Sequence, residues 1–264
     1  MTSEERNAQR LDIDLAEWYP KLVAAGIPTP KTIIVPAPRS LIHLLEGDKN
    51  RITGYSRFIK KLIAGGEAVG YPCFMRTGYG SGKHDYQNTC LVSRPADLEK
   101  HVFKLLEWSL SIDFFGLPFD TWVVRELLPT APAFYAFRGH LPITRERRYF
   151  VSDGKILGHH PYWPPEAIDD PSDPNWRQLL DGLNQETPDE IVELSALSLA
   201  VSAAVVGDWS VDWLYVPTRG WVCIDLAWAE RSFVWVEYPT APRLTTPAKE
   251  TEIDPFNFEF EIPE

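Results

Sequence analysis

The chain lacks most of the features that would set it apart as a special class of protein. No stretch approaches the roughly 18 to 20 consecutive apolar residues of a membrane span. The first residues, MTSEERNAQRLDIDLAEW, are charged and carry no apolar signal core. Cysteine is scarce, with 3 in the chain. Cys73, Cys90 and Cys223 sit inside apolar runs without paired or C-x-x-C spacing. That excludes a disulfide framework and fits a reducing, cytoplasmic compartment. Positive charge is in deficit: 26 Lys and Arg stand against 37 Asp and Glu, a formal net charge of -11. Such a balance argues against a general surface for nucleic acid or anionic membrane, while leaving room for a local basic cleft. There is no internal repeat, no low-complexity segment, and no convincing Ser-His-Asp or Cys-His arrangement for covalent catalysis.

What is present is a 264-residue chain, long enough to bury a sizeable core as one large domain or two small ones. Helical spacing over DLAEWYPKLVAA predicts a helix stopped by Gly26, and SRFIKKLIAGG reads as a second helix ending in its glycines. RPADLEKHVFKLLEWSLS, with Pro95 near its start, reads as a third. TPDEIVELSALSLAVSAAV opens with Thr187 and Glu190 in capping-box spacing and Pro188 at the first helical position. Strands are predicted for KTIIVPAP, for YPCFMRT with NTCLVS as its partner, and for TWVVRELL. RERRYFVSDGKILGHHPYW reads as a hairpin about Asp153-Gly154, and WSVDWLYVPTRGWVCIDLAWAE as a hairpin about PTRG. Antiparallel hairpins interleaved with helices make the fold class α+β.

Four constellations could carry chemistry. In FMRTGYGSGKHD, residues 74 to 85, Gly78, Gly80, Ser81 and Gly82 lie between Arg76 and Lys83. Backbone N–H groups there could cradle an anion. The match to a P-loop fails at Thr77 and His84, and a solvated glycine-rich hairpin loop is the plain alternative. In the last hairpin, a symmetric turn sets Val216 against Trp221 and so Asp212 against Asp225. Facing carboxylates repel, and a divalent cation between them would remove the conflict. Pairing with Arg219 or Arg231, or a slipped register, would serve as well. In RERRYFVSDGK, alternation puts Glu146, Arg148 and Phe150 on one face and Arg147 and Tyr149 on the other, with Arg148 facing His159 across the turn. A buried guanidinium there needs an anion, whether phosphate or Glu146, unless it is a solvated edge. Arg125 and Glu126, inside an apolar strand, point to opposite faces and need different partners.

In the order and spacing of these segments, over roughly residues 20 to 235, the chain resembles the ATP-grasp superfamily. The segment LVAAGIPTPKTIIV resembles the stretch ahead of the ATP-binding core. The run from GEAVGYPCFMRT to DLEKHV resembles the first nucleotide-binding lobe. WVVRELL resembles the strand entering the adenine hinge, and the two hairpins resemble the second lobe. The resemblance implies two α+β lobes gripping nucleotide. These would be a pre-ATP-grasp segment over 1–50, a first lobe over 51–125, a second over 126–240 and an acidic tail over 241–264.

It further implies ATP and Mg2+ as cofactors. Arg76 takes the place of a phosphate-binding lysine, as in an arginine-for-lysine offshoot seen in phage and bacterial proteins. Lys83 closes the loop of Gly80, Ser81 and Gly82. Glu126 and the backbone of Leu127 and Leu128 are expected at the adenosine, Arg125 among the ATP-binding residues, and Arg148 at the γ-phosphate or an acyl phosphate. Arg148 and Lys83 would be catalytic, and Asp212 and Asp225 would hold the metal. Ala227 stands where the family has a metal-binding asparagine. The implied activity is ATP-dependent ligation of a carboxylate to an amine, on an amino-acid- or peptide-like substrate. ERRYFV also resembles a segment of the ATP-grasp chaperone that assembles a eukaryotic translation initiation factor. The alternative is therefore a non-catalytic ATP-binding chaperone or assembly factor, with the acidic tail docking a protein partner.

Overall fold

The computed structural model describes residues 13–112, 117–137 and 140–243. Two four-stranded antiparallel sheets organise them. The first sheet has the order β1-β4-β2-β3, from β1 (Thr32–Pro36), β2 (Cys73–Thr77), β3 (Leu91–Val92) and β4 (Thr121–Glu126). Helices α2 (Tyr55–Val69) and α3 (Leu98–Ser111) cover one face, burying Phe58, Leu62, Leu105 and Leu106 against Met75, Trp122 and Val124. The second sheet has the order β10-β9-β7-β8, from β7 (Glu146–Ser152), β8 (Lys155–Pro161), β9 (Trp209–Val216) and β10 (Gly220–Trp228). Its covered face packs on α1 (Leu15–Ala24) and α5 (Pro188–Ala204) through Trp18, Leu22, Leu194 and Val201.

Strand β4 belongs to both cores because its side chains alternate: Val124 lies in the first cluster and Val123 in the second. A third cluster joins the hairpin β5 (Phe134–Ala136) and β6 (Leu141–Ile143) to α4 (Trp176–Asn184) and Trp163. Within the segment 1–50, β1 pairs with β4 from Thr32↔Arg125 to Pro36↔Thr121. No helix among the described residues is long and apolar enough to cross a membrane. Of the acidic tail, residues 244–264 lie outside the described residues.

Three local expectations need correction. Helix α2 does not stop at Gly65-Gly66 but runs to Val69 and ends at Gly70, whose φ is +94°. The two glycines serve packing, since a Cβ on Gly66 would lie 2.2 Å from the Tyr71 hydroxyl and one on Gly65 3.3 Å from Ile33. In the last hairpin Val216 pairs with Gly220, not Trp221, because Gly220 adopts φ +78° after the turn. A β-bulge between Cys223 and Asp225 then restores the Asp212↔Asp225 pair. In the β7–β8 hairpin an irregularity beyond Phe150 shifts the register, so Arg148 faces His160 and Tyr149 faces His159. Thr187 caps α5 as its sequence predicts, accepting from the Glu190 N–H at 3.2 Å, but the Glu190 side chain goes to arginines.

Candidate functional site

The second sheet sets Arg148, Asp212 and Asp225 in one row, because Arg148 pairs with Asp212 across β7 and β9 and Asp212 with Asp225 across β9 and β10. Arg148 grips Asp212 with both arms of its fork, Nε to Oδ1 at 2.7 Å and Nη2 to Oδ2 at 2.9 Å. From the first sheet, Arg76 reaches across to Asp225, Nη1 to Oδ1 at 2.9 Å, and its Nε donates to the Thr77 carbonyl. Arg76 is buried, while the Asp225 side chain is 37% exposed. Arg219, one of the two partners suggested for these acids by sequence, turns elsewhere. Arg219 instead pairs with Glu126 at 2.6 Å, and Glu126 also accepts the Lys31 N–H at 2.7 Å.

Arg125, beside this row, is 4% exposed. Its Nη1 donates to the carbonyl of the bulge residue Ile224 at 2.6 Å, and its guanidinium lies 5.8 Å from the Trp18 ring. Its Nε and Nη2 have no hydrogen-bond partner among the described residues. Burial first, and then the neighbouring Arg76, push Arg125 down to about 9, so it stays charged at neutral pH.

Lys83 is held on an aromatic wall. It donates to the Tyr162 hydroxyl at 3.0 Å and lies 4.1 Å from the Tyr162 ring and 4.6 Å from the Trp163 ring. Burial works against its charge, yet Tyr162, Glu146 and Asp212 outweigh burial and hold it above the usual lysine range. Arg148 stacks over the same Tyr162 ring at 4.7 Å. Glu146 accepts from Trp163 Nε1 at 3.1 Å and Thr144 Oγ1 at 3.2 Å, and burial raises its carboxyl above the ordinary value against the pull of Lys83. His84 stacks on Phe137 at 4.1 Å, and burial followed by Lys83 lowers it to about 4, leaving it neutral.

The glycine-rich loop is packed rather than free. A Cβ on Gly78 would sit 2.1 Å from Asp14 Oδ1, and one on Gly80 2.6 Å from Trp108. Gly82 has φ +61° and also lies against Trp108. The Thr77 hydroxyl accepts the N–H groups of Tyr79 and Gly80, and the Gly78 N–H goes to the Thr121 carbonyl. Three of the amides expected to wrap an anion are therefore engaged inside the protein. Of the expected hinge residues, Leu127 packs into the third cluster and the Leu128 carbonyl accepts from Thr130 at 2.9 Å.

No family model matches the sequence, and no curated protein does. Solved structures do. C-terminally truncated Cdc123 from Schizosaccharomyces pombe aligns with a TM-score of 0.53 at 14% identity, over 83% of this chain and 84% of that one. The RimK-domain ATP-grasp protein of Sphaerobacter thermophilus aligns at 0.44 and 16% identity, covering 82% of this chain and 59% of that chain. N5-carboxyaminoimidazole synthase from Aspergillus clavatus, solved with ADP, aligns at 0.48 and 13%, covering 84% of this chain and 45% of that one. This chain has the ATP-grasp fold.

The ATP-grasp fold brings with it the expectation of a divalent ion on Asp212 and Asp225, and the residues present do not fit one as they stand. Both oxygens of Asp212 are bonded to Arg148, and Asp225 Oδ1 accepts from Arg76 and from the Leu226 N–H at 3.1 Å. Among the described residues no group of three His, Cys, Asp or Glu side chains could hold a metal. Sequence reasoning singled out Arg76, Lys83, Arg125 and Arg148 but missed Tyr162 and Trp163, against which Lys83 packs, and Phe137, which lies 6.0 Å from Trp163. A tyrosine-tryptophan pair just past the histidines of β8 was the signal available.

Proposed function

We propose that the cleft between the two sheets binds ATP and that the chain is an ATP-dependent ligase joining a carboxylate to an amine. One observation carries the nucleotide reading: Arg76 and Arg125 from the first sheet, Arg148 from the second and Lys83 from the turn after the glycine-rich loop converge on one place. Guanidinium forks match phosphate oxygens, and phosphoryl transfer is catalysed chiefly by such positioning and charge. Arg148 and Lys83, both on the Tyr162 ring, would face the transferring phosphoryl group. Arg76 and Arg125 would hold the remaining phosphates, with the strand end at Glu126, Leu127 and Leu128 beside the adenosine.

In this reading a substrate carboxylate oxygen attacks the γ-phosphorus and the bond to ADP breaks, ADP leaving with the electron pair. The amine then attacks the acyl carbon, phosphate departs, and the amine gives up a proton. An amino-acid- or peptide-like substrate is the proposed class.

A second reading, a non-catalytic ATP-binding chaperone or assembly factor, is favoured by a specific observation: Asp212 and Asp225 are engaged by arginines, and Ala227 offers no ligand. The likeness to Cdc123 over most of both chains points the same way. ADP release on mixing the protein with ATP and a panel of amino acids and short peptides decides between them. Stoichiometric ATP binding with no ADP formed above the protein-free rate would sink the ligase.

A further inference from the structure

The disagreement between the expected metal ligands and their arginine partners has a consequence for what the cleft binds. Four cations (Arg76, Arg125, Arg148 and Lys83) meet three carboxylates (Asp212, Asp225 and Glu146). One of these cations, Arg125, is buried and has two nitrogens without an acceptor among the described residues. A buried guanidinium with orphaned N–H groups requires an anion, and none of the described carboxylates forms an ion pair with it. A divalent cation placed between Asp212 and Asp225 would instead lie among three guanidinium groups already bonded to or bordering those acids, where like charges oppose it.

We infer that guanidinium charge here replaces the divalent ion, so that the cleft holds a polyphosphate through Arg76, Arg125 and Arg148 without a metal. Asp212 and Asp225 then orient the two arginine forks instead of coordinating a cation. The phosphate oxygens supply what Arg125 lacks and share the forks with the acids. This inference rests on the reading of the cleft as a nucleotide site. It bears on that reading's two branches, because a grip independent of metal suits holding ATP better than turning it over.

Isothermal titration of the full chain with ATP tests it, once in excess EDTA and once in millimolar Mg2+, with inorganic tripolyphosphate as a second titrant. The dissociation constants for ATP in the two buffers are expected to agree within about threefold. Tightening by about thirtyfold or more in Mg2+, or binding in Mg2+ alone, overturns the metal-free grip and leaves the nucleotide site standing. Binding of tripolyphosphate but not ATP supports the grip and removes the nucleotide. No binding of either titrant in either buffer overturns both.

Two variants fix the residues. Arg125→Met, with Arg125→Lys as the partner variant should the first not fold, is expected to weaken ATP binding in EDTA by about tenfold. Unchanged affinity in a folded Arg125 variant contradicts the role given to its free nitrogens. Asp225→Asn separates the two assignments by sign. In the Mg2+ buffer a metal ligand would lose binding by tenfold or more, whereas an acid that shares Arg76 with phosphate leaves affinity equal or improved there, as it does in EDTA.

Discussion

Arg147 and Arg148 are neighbours on one strand, yet β7 delivers them to opposite environments. Arg147 is fully buried on the helix-covered face. Its Nη1 donates to the Glu146 carbonyl and its Nη2 to the Gln185 carbonyl, each at 2.9 Å. Its Nε lies 2.5 Å from Glu190 Oε1, off the hydrogen-bond direction, and 3.7 Å from Glu186 Oε1. Glu190 also pairs with Arg145. Glu186 in turn accepts from His159 at 3.0 Å and from Tyr238 at 2.9 Å. Arg148, on the cleft face, has Asp212 and the Phe233 carbonyl as partners and stays 12% exposed. One guanidinium is locked by groups from three elements, while the other holds partners that an incoming phosphate could share. The difference teaches that a buried arginine marks function only where its partners are exchangeable.

The largest expected effect breaks the comparison on the locked side. Arg147→Met takes from two buried carboxylates the cation they share, at a cost of about 3–5 kcal/mol. The equivalent Arg148→Met, with solvent nearer, is expected to cost about 1–2 kcal/mol. Urea denaturation of both variants checks this, and equal losses would show that the two faces do not differ in the way described. Next in size is binding. Arg148→Met should weaken ATP by about tenfold to a hundredfold, the worth of a charge-assisted fork on phosphate. Wild-type affinity in a folded Arg148→Met protein would remove Arg148 from the site.

That both arginines sit mid-strand was legible in RERRYFVSDGK, and so was the alternation that separates them. Their partners were not. Arg147 meets Glu186 and Glu190 only because a long connection returns α5 onto the sheet, and Arg76 meets Asp225 only because the two sheets close on each other. Local periodicity holds no record of such contacts. The hairpins were readable from Asp153-Gly154 and PTRG, but the irregularity beyond Phe150 and the bulge before Asp225 follow from packing on neighbouring strands. The Asp212–Asp225 pairing emerged because the bulge offset an error of one residue at the turn. The glycines of residues 78 to 82 were visible as glycines. Their cause, close approach of Asp14 and Trp108, needed the tertiary structure.

The third expectation concerns pH, where the two faces should respond with opposite sign. Burial alone would raise Glu186, but the His159 and Tyr238 hydrogen bonds and the Arg147 charge hold it below the ordinary carboxylate value. Its stabilisation is present above the unfolded value, about 4.3, and is lost as pH falls through the lowered folded value. Glu146, on the Arg148 face, is raised by burial against Lys83 and Trp163. Its folded form keeps the proton longer, so its contribution is full below the unfolded value and is lost as pH rises through the raised one. Denaturation midpoints measured from acid to neutral pH should therefore lose part of their acid decline in Glu186→Gln. In Glu146→Gln they should gain at neutral pH relative to wild type. Changes of the same sign in both variants would contradict the assignment.

The smallest expected effects come from deleting one hydroxyl on each face. Tyr238 donates to Glu186 at 2.9 Å, and Tyr162 accepts from Lys83 at 3.0 Å. Tyr238→Phe removes one of several donors to a buried carboxylate, so a loss of about 1 kcal/mol is expected with ATP affinity unchanged. Tyr162→Phe keeps the ring on which Lys83 and Arg148 stack and removes only the oxygen that anchors the ammonium. Stability should then stay within about 0.5 kcal/mol, while ATP affinity shifts by a few fold. Paired titration and urea curves read both quantities in both variants. If Tyr238→Phe altered affinity as much as Tyr162→Phe, the locked face would be coupled to the cleft through β7, and its arginine could no longer be regarded as purely structural.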